Sequence, residues 1–86
     1  MRVFGHVIPK EMQREVINSF AIEEPFSFTE VVNQLKEKLG LTIRDGDQIA
    51  YTGADKILKR AKRAGMVVRV QTRTIQWKRI NQWQAA

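Results

Sequence analysis

The 86-residue sequence predicts an α+β domain, three helices followed by a C-terminal β-hairpin. Three observations carry that prediction. Apolar residues recur at helical spacing in three separate stretches between Pro9 and Gly65. A complete helix-start signature and two stop glycines punctuate those stretches. After Gly65 the apolar period drops to two, as a pair of strands requires. The length allows one small core. A 43% hydrophobic and 28% charged composition is that of a folded chain and not of a disordered one. Residues 1–86 are therefore read as a single domain with its core over about residues 8–80.

The first helix is expected from Pro9 to Phe20. Proline suits the first helical position because its missing N–H costs nothing there. Met12, Val16 and Phe20, joined by Ile17, form its buried stripe, and Lys10, Gln13 and Arg14 fall outside it. The preceding "RVFGHVI" is compatible with a short strand. The second helix opens with Ser27 as N-cap and Glu30 three residues on, a capping box, with Phe26 and Val31 placed as a hydrophobic staple. Phe28, Val31, Val32, Leu35 and Leu39 supply its apolar face. Lys36 and Lys38 offset the dipole in its last turn, and Gly40 supplies the left-handed end residue. In "LTIRDGDQIAY", Leu41 and Ile43 alternate with polar residues, which fits a short strand or an irregular loop. Asp45-Gly46 reads as a turn and Ile49 as buried.

The third helix is expected to begin near Thr52, with Asp55 three residues later, and to stop at Gly65. A start as early as Asp47 is compatible, since Gly53 is a poor helix residue without being prohibitive. At about 100° per residue, Ala54, Ile57, Leu58 and Ala61 fall on one side, with Lys56, Lys59, Arg60 and Arg63 opposite. In the hairpin, a two- or four-residue turn places Val70 across from Ile75 and Val68 across from Trp77 as the apolar face. Trp77 is then a core residue. The tail "NQWQAA" predicts nothing, and Trp83 is left between core packing and a dimer contact.

Charge is divided unevenly. Residues 1–50 carry six basic against eight acidic residues, net −2, whereas residues 51–86 carry nine basic residues against Asp55 alone, net +8. An exposed helical face normally interleaves acids at i, i+4 spacing. Between Lys56 and the C-terminus there is no acid at all, which points to a polyanionic partner. Other chemistry finds no support. Cysteine is absent, so disulfides and thiolate metal sites are excluded. His6 is the single histidine and stands in no metal or Ser-His-Asp constellation. No phosphate-binding glycine loop and no cofactor motif occurs, and Glu23-Glu24 and Asp45/Asp47 read as ordinary loop acids. The expectation is a protein that is not an enzyme. No apolar run is long enough for a membrane span, and no signal peptide is read at the N-terminus. The apolar side of the third helix is too narrow for a lipid surface and is needed for the core.

The stretches "FSFTEVVNQLKEKLG" and "IAYTGADKILKRAKRAGMVVRV" resemble the winged helix-turn-helix superfamily, over roughly residues 8–80. Ile49, Ala54, Ile57-Leu58 and Ala64-Gly65-Met66-Val67 fill the apolar, small and stop positions of a superfamily third helix and its following strand. About eleven residues separate Gly40 from Thr52, longer than the turn of simple members. The size and the basic helix are also reminiscent of small phage and prophage DNA-binding proteins. The resemblance implies a cytoplasmic, nucleoid-associated duplex-DNA-binding protein, a transcriptional regulator or architectural factor. Helix 52–64 would lie in the major groove and hairpin 66–80 on the flanking backbone. It nominates Tyr51, Thr52, Asp55, Lys56 and Lys59 for base contact, although Asp55 is better suited to capping. Arg60 and Arg63 are nominated for phosphates, and Arg69, Arg73, Lys78 and Arg79 for contacts from the hairpin. RNA stays open, although the aromatics sit at core-like positions. Two rivals stay open as well: a winged-helix adaptor binding an acidic protein in a replication, recombination or phage assembly complex, and an excisionase-like or packaging component. A homodimer is compatible with each.

Overall fold

The computed structural model describes residues 1–3, 5–40, 45–71 and 73–84, with backbone alone at 45–47 and 71. It is an α+β fold of three helices and two small antiparallel sheets. The chain opens with a hairpin of β1 (Arg2–Val3) and β2 (His6–Val7), in which Arg2 pairs with Val7 and Val3 with His6. The strand expected in "RVFGHVI" is thus a hairpin, turned at Gly5 with φ +83°. Ile8 follows, fully buried, and Pro9 caps α1 (Lys10–Asn18) in an extended conformation.

Helix α1 starts after Pro9 and ends at Asn18, short of the expected Phe20, which packs at the edge of the core from beyond the helix end. The helix buries Val16 and Ile17, with Met12 at that edge. It also buries Gln13, which the apolar stripe had placed outside. The reason is a pair of bonds that the periodicity cannot see: Gln13 Nε2 donates to the Ile8 carbonyl at 2.9 Å, and Oε1 accepts from Arg60 Nη1 at 3.3 Å.

Strand β3 (Pro25–Ser27) leads into α2 (Phe28–Leu39). Both halves of the capping box are formed: Glu30 N–H donates to Ser27 Oγ at 3.3 Å, and Ser27 N–H to Glu30 Oε2 at 2.7 Å. The staple residues Phe26 and Val31 are both buried, with Val32 and Leu35 beside them. Gly40 ends the helix at φ 63°.

Helix α3 spans Asp45–Arg63, so Asp45-Gly46 belongs to its first turn and Thr52 lies in its middle. The expected cap at Thr52 is therefore overturned, and the connection from α2 shrinks to residues 40–44. The strand-or-loop expected at Leu41 and Ile43 lies outside the described residues. Gly53 looked like a boundary and is instead a contact: a Cβ built there would stand 2.8 Å from Leu35 Cδ2 and 3.0 Å from Ile8 Cδ1. The inward seam Ala54, Ile57, Leu58 and Ala61 is buried, as is Ile49. The helix closes with the paired bonds of a Schellman end, Met66 N–H to Ala61 O at 2.9 Å and Gly65 N–H to Lys62 O at 3.1 Å, with Gly65 at φ +78°.

Strands β4 (Val67–Gln71) and β5 (Ile75–Arg79) form the C-terminal hairpin, and β3 adds to the far side of β5, giving the order β3-β5-β4. Pro25 is tolerated because β3 is an edge strand. The connection 72–74 has three residues, neither two nor four, so the parity is reversed. Arg69 pairs with Trp77, Val70 with Gln76 and Val68 with Lys78. Val67 takes the buried position expected of its neighbours, and Val68 is exposed.

Candidate nucleic-acid interface

The cations of α3 are placed by its inward seam. Four small or aliphatic residues turn one side of the helix to the core, and the charged residues between them are carried to the other side. Lys56, Lys59, Arg60, Lys62 and Arg63 are all exposed. The helix is 19 residues long, about 28 Å at the usual rise. Lys59 runs along the middle of its exposed side. Lys62 lies toward one flank and Arg60 toward the other, about 160° apart around the axis.

Each flank is walled by a hairpin. Toward the C-terminal hairpin, a depression of about 280 Å³ is lined by Asp55, Leu58, Lys59, Lys62, Arg69, Ile75 and Trp77. Toward the N-terminal hairpin, a depression of about 300 Å³ is lined by Met1, Arg2, Lys56, Lys59, Arg60 and Arg63. Lys59 borders both. Trp77 keeps its expected inward face, and the reversed hairpin parity is what brings Arg69 onto it, beside buried Val67.

Among the described residues, one acid pairs with this surface. Asp55 Oδ2 lies 3.0 Å from Lys59 Nζ across one helical turn, with the two side chains 53% and 72% exposed. A pair this exposed is weak, and a phosphate can replace it. Asp55 is thus a mid-helix ion-pair partner and not a cap.

The remaining nominated residues are dispersed. Tyr51 is exposed at the side of α3 that meets α2, its ring edge-on to Phe28 at 4.6 Å. Thr52 is half-buried. Arg73 is exposed in the hairpin connection. Lys78 lies on the opposite face of the sheet from Arg69 and pairs with Glu23 at 2.9 Å. Arg79 is tied to Asn18 through Nη1 at 3.0 Å. Arg2 and Lys62 were not nominated yet line the surface. Lys62 was within reach of a helical projection, which carries it to the hairpin flank. Arg2 was not, because a two-residue strand has no pattern to read.

No family model, curated protein or solved structure matches the chain. Among the described residues, no helix is long and apolar enough to cross a membrane, and no group of three or more His, Asp or Glu side chains is placed to hold a metal ion.

Proposed function

We propose that this protein is a winged-helix protein that binds duplex DNA, working by binding without catalysis as a transcriptional regulator or DNA-architectural factor. In this reading, helix α3 enters the major groove, and the β4–β5 hairpin lies on the flanking backbone as the wing. The carrying observation is the exposed row of Lys56, Lys59, Arg60, Lys62 and Arg63 on a single helix, with Asp55 the one acid paired to it among the described residues. A helix with side chains is about 10–12 Å across and the major groove about 12 Å wide, so the dimensions agree. The run α1-β3-α2-α3-β4-β5, with β3 paired to β5 of the C-terminal hairpin, and the five-residue connection between α2 and α3 support this reading, while the N-terminal hairpin β1–β2 stands outside the expected order.

Binding to a mixed-sequence duplex, followed by fluorescence anisotropy across salt, tests this. About five to eight phosphate contacts predict a log–log slope on the order of −5 to −7. Replacing Lys59 and Arg63 together by alanine makes the slope shallower by about two and leaves the melting temperature nearly unchanged. A flat salt response, or no duplex binding at low salt, overturns the proposal. Co-purification with an acidic protein in place of duplex binding would make the adaptor reading the correct one.

A further inference from the structure

The groove between α3 and the N-terminal hairpin joins cations of the α3 row to Arg2, which the function proposed so far does not use. Besides Met1 and Lys59, the latter paired with Asp55, it is lined by Arg2 of β1 and by Lys56, Arg60 and Arg63 of α3. No carboxylate among the described residues lies within ion-pair distance of any of the four. Four like charges held around about 300 Å³ without an internal acid repel one another, so this packing is maintained against an electrostatic cost.

What holds them together is a device of four residues, Gly53, Ile8, Val3 and Gln13. Gly53 lacks a side chain, so Ile8 Cδ1 comes within 3.0 Å, and Val3 Cγ2 within 4.0 Å, of where its Cβ would stand. Hairpin β1–β2 is thereby seated directly on α3. Gly53 and Arg60 are seven residues apart and project within about 20° of each other, so the hairpin and Arg60 share one flank of the helix. Gln13 then fixes Arg60 by accepting from its Nη1 at 3.3 Å while donating to the Ile8 carbonyl at 2.9 Å. The arginine is oriented from behind by a neutral amide, which leaves its charge uncompensated toward the groove.

We propose that this groove is a second backbone clamp. It seats the phosphodiester strand on the side of α3 away from the β4–β5 hairpin, so that the two hairpins straddle the helix and hold both walls of the major groove. The proposal rests on the duplex-binding function above. A helix lying in that groove has one strand on each side. On one side Lys62 and Arg69 meet the first strand, and on the other Arg2, Lys56, Arg60 and Arg63 meet the second.

The test compares wild-type protein with Arg2→Gln, Arg2→Gln/Lys56→Gln and Arg2→Lys on a mixed-sequence duplex. The slope of log affinity against log salt is the readout, and thermal melting reports folding. Arg2→Gln is expected to make the slope shallower by about 0.9 and to weaken binding roughly three- to tenfold near 0.1 M salt. The double variant makes the slope shallower by about 1.8. Arg2→Lys keeps the charge and keeps the slope. If the wild type binds duplex with a steep slope and Arg2→Gln does not alter it, the clamp is wrong and the duplex-binding function stands. If Arg2→Lys loses as much slope as Arg2→Gln, Arg2 acts through hairpin packing and the clamp is again overturned. If the wild type does not bind duplex, both proposals fall together.

Discussion

Asn18 meets the main chain of Trp83 twice, donating from Nδ2 to the carbonyl at 2.9 Å and accepting from the N–H at Oδ1, also at 2.9 Å. Its side-chain amide stands in for the peptide of a neighbouring strand, and the same Oδ1 takes Arg79 Nη1 at 3.0 Å. One residue at the end of α1 thus anchors the C-terminal segment, so that Trp83 packs against the core. Gln13 does similar work for the N-terminal segment and Arg60. Each is a single polar side chain that bonds to a residue far along the chain, Asn18 to Trp83 and Gln13 to Arg60, which is why neither role can be seen in the local pattern. Gly53 acts by the absence of a side chain. Gly53→Val puts a branched carbon where Leu35 Cδ2 and Ile8 Cδ1 already stand at 2.8 and 3.0 Å. Overpacking of this kind costs on the order of 1–3 kcal/mol, more than the small gain in helix propensity returns. Urea denaturation should show the unfolding free energy falling by that amount through a lower midpoint, with the slope of the transition unchanged.

At the scale of elements, what was readable depended on whether the signal was local. Helix α2 was readable in full because its instructions lie within it: Ser27 and Glu30 cap it, Phe26 and Val31 staple it, and Gly40 ends it. Ser27→Ala removes the acceptor for the Glu30 N–H and is expected to cost about 1 kcal/mol, lowering the melting temperature by about 4–8 °C in a domain of this size. The seam of α3 was readable as well, since Ala54, Ile57, Leu58 and Ala61 follow one helical period and are all buried. Its start was not, because Thr52-Gly53 mimics a cap and a break while tertiary packing needs a glycine inside the helix. Strand β3 has three residues, too few for an alternation to register, and exists because Phe26 pairs with Trp77 across the sheet. The register of β4–β5 turned on one residue of loop length, and a one-residue slip exchanges the faces of every side chain. The candidate site divides the same way. The cations on α3 were legible, whereas the flank to which each hairpin belongs, and with it Arg2, depended on contacts between segments distant in sequence.

For the whole molecule, the net +6 conceals a −2 half and a +8 half folded onto each other. Among the described residues, two pairs join opposite charges between segments distant in sequence, Lys38 with Glu15 at 3.4 Å and Lys78 with Glu23 at 2.9 Å. Neither reaches the exposed side of α3. The molecule therefore balances its charge on the sheet and between α1 and α2, and leaves it concentrated along one helix. Salt then acts on the free protein and on its complex with opposite signs. In the free protein, salt screens repulsion among the α3 cations over a Debye length of about 10 Å at 0.1 M, so the melting temperature should rise between low and moderate salt. In the complex, the same salt weakens phosphate binding, so the added stability should fall. Duplex at about 100 times its dissociation constant contributes about 2.7 kcal/mol to the folded state. For a domain of this size that is a rise of roughly 10–20 °C in melting temperature. Thermal melting with and without duplex, at low salt and at about 0.5 M, measures both signs in one experiment. The two curves should converge as salt increases, the free protein moving up and the complex moving down. A free protein that loses stability with salt would mean that attractive pairs dominate its surface, and the exposed row on α3 would then lack the repulsion that a polyanion relieves.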